Sequence, residues 1–285
     1  MQYKHLRIII SFLLLISGCS SNNSVWRPLF NGKDLTGWDT YLGPKYDTIL
    51  KKFDTIPTGL NIDPSKVFSV VKLGDENVIR ISGENFGGIS TISEYDNYHL
   101  QLQFRWGQLK WPPRKKEKRD SGLMYHAVGP NGADDGNWMR SHEFQIEEGD
   151  CGDYWACAGA VFDIMARKDN DSTYVYDNNG HMLTFSTSSS IGRNCIKFPD
   201  AEKPTGEWNT LDLYCYGNTS VHMVNGVVNM ILNNSRQSEA GKEIPLTRGK
   251  IQIQSEGSEI YYRDIKICSI DKIPARILNE KTMAR

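Results

Sequence analysis

The sequence predicts an all-β protein, a sandwich or barrel of many short strands. Three observations predict it. Apolar and polar residues alternate over short runs, the period of a half-buried strand. Gly, Asn, Asp and Pro punctuate those runs at close spacing, as turns between strands do. Long stretches of helical periodicity are hard to find anywhere in the chain. The 285 residues contain 39% hydrophobic and 11% aromatic side chains, enough for a sizeable core. With no internal repeat and no domain-sized linker, residues 27–270 read as one domain.

The N-terminus comes first and is distinct. Lys4 and Arg7 precede the apolar run Ile8–Ile16, and Ser17-Gly18-Cys19 follows. A short basic region, a short apolar region and small residues at a cleavage point make an export signal. The run is too short to span a bilayer. Ile16-Ser17-Gly18-Cys19 is similar to the bacterial lipobox, which implies cleavage after residue 18 and lipidation of Cys19. Residues 19–26 then read as a lipidated tether. The expected location is the outer membrane, anchored by lipid and facing the periplasm, with display at the cell surface as the alternative.

Within the domain, Asn31-Gly32 is a turn between Trp and Leu anchors. Residues 39–65 are polar and carry Gly43-Pro44, Pro57 and Pro64, so they read as loop or as an insertion on the substrate side. Val67–Lys72, Asn77–Ser82 and Gly87–Ile92 are short strand patterns. In Tyr98–Trp106 the residues Tyr98, Leu100, Leu102, Phe104 and Trp106 share one face, with His99, Gln101, Gln103 and Arg105 on the other. Further strands are expected at Gly159–Ile164, Met182–Ser186, Thr210–Tyr216 and Ser220–Val224. Asn225-Gly226 is a strong hairpin turn leading into Val227–Leu232. Gly249–Gln254 and Glu259–Cys268 close the pattern around Glu256-Gly257, and residues 271–285 read as a tail.

Charge argues against a nucleic-acid partner. Net charge is −1, and without Met1–Gly18 the balance is 31 basic against 34 acidic residues. The cluster Arg114–Lys118 reads as a solvated loop. Five cysteines remain after Cys19, an odd number, so they cannot all pair within one chain. Cys151 and Cys157 are the expected bridge. No CxxC pair points to a thiolate metal site.

The chemistry-bearing stretch is residues 120–157. Its two strand-like runs are Ser121–Ala127 and His142–Glu148. Alternation puts Glu143, Gln145 and Glu147 on one face, opposite His142, Phe144 and Ile146. It puts Gly122, Met124 and His126 on one face of the first run. If the runs pair, His126 stands beside the row of acids and amide. Asp120 and Arg140 flank the strands and suit sugar hydroxyls or surface ion pairs. Trp138 suits sugar stacking or core packing.

Six separated motifs occur in order: LFNGKDLTGW, DSGLMYH, the E-x-Q-I strand, GEWN, VHMVNG and GKIQIQSEGSEIYYRDIKI. Together they resemble the family of 3-keto-disaccharide hydrolases, also described as 3-keto-glucoside 1,2-lyases and 3-keto-2-hydroxy-glucal hydratases, over residues 27–268. The resemblance implies a concanavalin A-like jelly-roll sandwich of two curved antiparallel sheets, and an exported lipoprotein. It implies cleavage of 3-keto-glycosides by β-elimination, hydration, or both, assisted by a divalent metal. Glu143 and His126 are then the expected catalytic or metal-ligating pair. Gln145, Glu147, Asp120, Arg140 and Trp138 are the expected contacts to a 3-keto-sugar or glycan. Where relatives carry Arg after the first strand, this chain has His126. A non-catalytic lectin-like module and a conventional glycosidase are the alternatives. For the latter, Glu143 and Glu147 would have backbones roughly 13 Å apart, whereas glycosidase carboxyl pairs need about 5–9.5 Å.

Overall fold

A computed structural model describes residues 25–279. The expected signal segment 1–18, the lipidated Cys19 and most of the tether lie outside the described residues. Two antiparallel sheets face each other, one of twelve strands and one of eight. The jelly-roll sandwich is therefore the fold, with core side chains from both inner faces interleaved between the layers.

The twelve-stranded sheet carries Tyr98–Lys110 near its centre, between Asn209–Tyr216 and Ser258–Ser269. Alternation works here as expected: Tyr98, Leu100, Leu102, Phe104 and Trp106 are buried while His99, Gln101, Gln103 and Arg105 are partly exposed. The eight-stranded sheet runs in the order Asn194–Cys195, Tyr154–Cys157, Arg140–Glu147, Asp120–Val128, Lys250–Ser255, Gly87–Thr91, Trp38–Asp47, Lys52–Leu60. Its inner face contributes Leu123, Tyr125, Phe144, Ile146 and Ile253 to the core.

Two expectations about elements change. Residues 39–65 are largely a hairpin of Trp38–Asp47 and Lys52–Leu60 rather than loop. Pro44 and Pro57 sit opposite each other in it. Pro57 is tolerated because Lys52–Leu60 is an edge strand whose outer side needs no donors, and Pro44 lies at a register shift, past Leu42, the last residue of its strand paired with Gly87–Thr91. The expected tail begins with a short helical turn, Ala275–Leu278, whose Ile277 packs with Ile273 on Tyr214, Val221, Met223 and Val228. Two spaced isoleucines were too few to read as a core pattern. Among the described residues no helix is long and apolar enough to cross a membrane.

Candidate functional site

Strands Asp120–Val128 and Arg140–Glu147 pair with Asp120 opposite Glu147, Gly122 opposite Gln145 and Met124 opposite Glu143. Because side chains alternate, Asp120, Gly122, Glu143, Gln145 and Glu147 share the outer face of the eight-stranded sheet. The next strand, Lys250–Ser255, adds Gln254, and the turn after it adds Glu256. All of these except Gly122 line a cavity of about 670 Å³, within the roughly 300–1,000 Å³ of small-ligand clefts. Trp138, Phe86 and Phe53 form another wall, and Trp155, Arg193 and Asn137 complete it.

A single guanidinium organises the acids. Arg114 contacts Asp120 at 2.7 Å, Glu147 at 2.9 Å, Glu256 at 3.2 Å and Glu117 at 3.3 Å. This corrects the reading of Arg114–Lys118 as wholly solvated: Lys115 and Lys116 are exposed, but Arg114 turns inward. Gly257, at φ 80°, lets it do so, since a Cβ there would lie 3.0 Å from the Cβ of Arg114.

Even so, the acids are under-neutralised. Burial, reinforced by the Asp120 charge, raises the Glu143 carboxyl from 4.5 to about 8. Burial and the Glu143 charge raise Glu256 to about 8, against the pull of Arg114. Burial and Glu256 likewise push Asp120 up. Glu143 is held from behind by Cys157, whose thiol donates to Oε2 across 3.5 Å. Its other oxygen, Oε1, lies over Gly122, where a Cβ would be 2.3 Å from it and 2.5 Å from Oε1 of Gln254. Glycine is required there by close approach, not by backbone angle.

Four buried acceptors on the cavity wall have no partner: Asp120 Oδ1, Asn137 Oδ1, Gln145 Oε1 and Gln254 Oε1. Unpaired buried polar atoms are costly, and native proteins retain them where a ligand completes them. All four atoms are shielded from solvent, Asn137 Oδ1 against Gly43 and Gln254 Oε1 over Gly122.

Of the residues expected at the site, Glu143, Gln145, Glu147, Asp120 and Trp138 line this cavity together, and His126 and Arg140 do not. His126 is the larger departure. A β-bulge opens between Tyr125 and Val128, where two residues oppose Ser141 alone. His126 there takes φ 49°, which turns its ring into the interior. It packs edge-on to Tyr98 at 5.9 Å, Tyr125 at 5.4 Å and His142 at 6.2 Å. Strict alternation ran through this position, so the sequence reading set it on the wrong face. Arg140 instead donates to Ala158 O at 2.7 Å and Gln237 Oε1 at 3.0 Å, at the sheet rim.

The shared metal expected on His126 and Glu143 does not fit this geometry, because the two side chains occupy opposite faces of the sheet. Among the described residues no group of three or more His, Cys, Asp or Glu side chains is placed to hold a metal ion. The expected Cys151–Cys157 bridge fails for the same kind of reason. Cys157 belongs to an outer cluster with Phe86, Met124 and Trp138, whereas Cys151 is in the core between the sheets. All five described cysteines are free.

Sequence reasoning missed Arg114, Glu256, Gln254 and the Phe53 wall. For two of these a signal was present. Gln252, Gln254 and Glu256 alternate with Ile251, Ile253 and Ser255, the same polar row seen in Glu143, Gln145 and Glu147. Nothing in a basic loop marks which of its cations turns inward.

No curated protein matches the sequence. Among solved structures, a Parabacteroides distasonis ATCC 8503 protein described as a candidate glycosyl hydrolase is similar at 18% identity. The match covers 86% of this chain and 94% of that one, with a TM-score of 0.48. A β-glucanase of Bacillus licheniformis matches at 11% identity over 88% and 99% of the two chains, TM-score 0.41. The carbohydrate-binding module CBM66 of Bacillus subtilis matches at 6% identity over 71% and 92%, TM-score 0.40. The family model of the 3-keto-alpha-glucoside-1,2-lyase-like domain matches residues 25–268, nearly all of the described chain. On that match the chain belongs to the 3-keto-alpha-glucoside-1,2-lyase-like family and is a carbohydrate-processing protein.

Proposed function

We propose that the protein cleaves 3-keto-glycosides by β-elimination at the Arg114-organised acid cluster. The observation that carries this reading is Glu143, a carboxyl raised to about 8 in a cleft of about 670 Å³ whose lining residues include four with an unpartnered buried acceptor. A carboxylate of that pKa is a much stronger base than an exposed one. A ketone at C3 acidifies the C2 proton, which Glu143 takes. The C2 electron pair then forms the C1–C2 double bond as the C1–O bond breaks. Glu256, kept protonated by burial and by the Glu143 charge, supplies the proton that the departing oxygen needs. The products are the free aglycone and a 3-keto-2-hydroxy-glucal, to which water adds in a later step.

The transient enolate puts negative charge on the C3 oxygen. Arg193 is the cavity cation suited to face it. Its contacts to Asp134 and Asp135 are long, 3.4 and 3.7 Å, whereas Arg114 is already saturated. Asp120, Asn137, Gln145 and Gln254 accept from the sugar hydroxyls. The same two raised carboxyls also suit an ordinary glycosidase, so the deciding experiment includes both substrates. Wild-type protein and Glu143→Gln are incubated with 3-keto-glucosides and with their unoxidised parents, with and without a chelator. Release of aglycone from the keto-sugars alone, with an enone absorbance that Glu143→Gln abolishes, is the expected result. Equal cleavage of the parents, or binding without turnover, overturns it.

We also propose that the chain is exported and lipid-anchored through Cys19. The basic, apolar and small-residue order of residues 4–19 supports this. Cys19→Ala then leaves the membrane fraction, and retention there overturns the anchor.

A further inference from the structure

The cavity lining is of two chemical kinds. One wall carries the carboxyls of Glu143 and Glu256. Beside it, aromatic rings run outward in a chain from Trp138. Trp138 stacks on Phe86 at 6.2 Å and 26°, Phe86 meets Phe53 at 5.3 Å, and Phe53 meets Tyr46 at 5.2 Å. Phe86 and Trp138 are buried, but Phe53 is 38% exposed and lines the cavity mouth.

Phe53 sits in the edge strand Lys52–Leu60, opposite Tyr46 on the neighbouring strand of the hairpin. The base of that hairpin is locked to the loop that carries Asn137 and Trp138. A Cβ on Gly43 would lie 2.0 Å from Asn137 Oδ1, and Tyr41 OH donates to Gly136 O at 3.3 Å. Asn85 adds a bond to Gly43 O at 3.4 Å. The hairpin therefore holds a part-exposed phenyl ring at a set distance from the acid cluster. Leaving that ring in water forgoes apolar burial. Nothing in the core needs it there, since Phe86 and Trp138 already close the inner wall.

We propose that Phe53, backed by Phe86, is a ring-stacking subsite for the leaving group of the glycoside. In this arrangement the reacting sugar lies against Glu143 with its C1–O bond turned towards Phe53, so that its C1 substituent meets the ring. The subsite takes a flat apolar face, supplied either by the C–H face of a second pyranose or by an aryl ring. Phe53 is thus a specificity-determining residue, and this inference rests on the placement of the reacting sugar against Glu143 proposed above.

The test separates the subsite from the reaction. Binding of unoxidised methyl glucoside, phenyl glucoside and cellobiose to wild type, Phe53→Ala and Phe53→Leu is measured by calorimetry. Turnover of the corresponding 3-keto-glucosides is measured in parallel. Wild type is expected to bind at least one ring-bearing ligand roughly tenfold more tightly than the methyl glucoside. In both variants that ratio collapses to about twofold or less, while Phe53→Tyr retains it. A gain for cellobiose alone assigns the subsite to a sugar, and one for phenyl glucoside alone to an aryl group. Equal binding of all three ligands by wild type, absence of any binding, or a ratio that survives Phe53→Ala overturns the subsite. A ring preference that disappears in the variants, with no keto-glucoside cleaved, keeps the subsite and defeats the elimination chemistry instead.

Discussion

Gly122 lies diagonally across from Glu143 on the neighbouring strand, and a single methyl group on Gly122 would sit 2.3 Å from Oε1 of that carboxylate. No carbon and oxygen approach so closely, so Gly122→Ala forces Glu143 or Gln254 to move. A displacement near 1 Å at a reacting group costs about 10²-fold in rate. Gly122→Ala is therefore expected to lower kcat/KM on 3-keto-glucosides by about that factor while the thermal midpoint changes little. Wild-type activity in this variant would mean that Glu143 does not act from its present position.

The raised carboxyl predicts the pH dependence of activity. A base works only when ionised, and Glu143 loses its proton near 8. The rate should therefore show a rising limb towards that value and fall again above it, because Glu256, also raised to about 8, must keep its proton to act as the acid. Asp120 is the charge that adds to the shift after burial. Asp120→Asn removes it and should move the limb to lower pH, whereas Glu143→Gln should abolish the limb and cost about 10²–10⁴ in rate. Kinetics of kcat/KM from pH 5.5 to 9.5 for the three proteins make the comparison.

Arg114 makes a separate prediction about stability. Removing one partner from a buried ion cluster leaves the remaining charges exposed to each other without compensation. Its side chain is 21% exposed, which discounts the effect. Arg114→Met should cost about 2–3 kcal/mol at pH 8. At pH 5 the cost shrinks, because Asp120, Glu147 and Glu256 all titrate above their usual values and take up protons. Urea unfolding at the two pH values checks the difference, and a pH-independent loss would contradict the ionic role.

The same cluster marks where the sequence was legible and where it was not. Strand alternation is a strictly local signal. It correctly set Glu143, Gln145 and Glu147 on one face and His142 with Phe144 on the other. It failed at His126 because one extra residue in the bulge resets the phase, and no residue type announces that shift. The hairpin 38–60 was misread because an exposed edge strand lacks the buried face that gives strands their pattern. Arg114 and Phe53 were invisible for a different reason. Each reaches the cavity from a distant part of the chain, and only tertiary packing decides which loop side chain turns inward.

Misreading His126 exposes a last consequence, since its true position makes three buried histidines between the sheets. His126, His142 and His222 are 1%, 0% and 0% exposed. His142 bonds Tyr154 OH at 3.0 Å and Ser235 Oγ at 2.8 Å. His222 bonds Tyr125 OH at 3.0 Å and Gly152 O at 3.3 Å, while neither ring nitrogen of His126 has a side-chain partner. Burial lowers His126 from 6.5 to about 4 and His222 to about 3, and lowers His142 well below 6.5. A histidine depressed on folding gives stability that is present above 6.5 and is lost as pH falls below it. A shift from 6.5 to about 4 amounts to on the order of 3 kcal/mol for one group once pH is below both values. Glu143, Glu256 and Asp153, raised to about 8, 8 and 7, act in the opposite sense, because folding favours their protonated forms. Their contribution is fully present below the unfolded carboxylate values and is lost as pH rises through 7 to 8. Stability should therefore climb as pH falls from 8.5 towards 6.5, level off while histidines and carboxyls oppose each other, and drop only near pH 4, where the unfolded carboxyls take up protons too. His126→Asn, whose side chain tolerates φ 49°, should flatten the acid drop by about one proton. Urea midpoints across that range, wild type against the variant, measure the slope directly, and an identical acid limb in both proteins would show that His126 is not among the groups that charge.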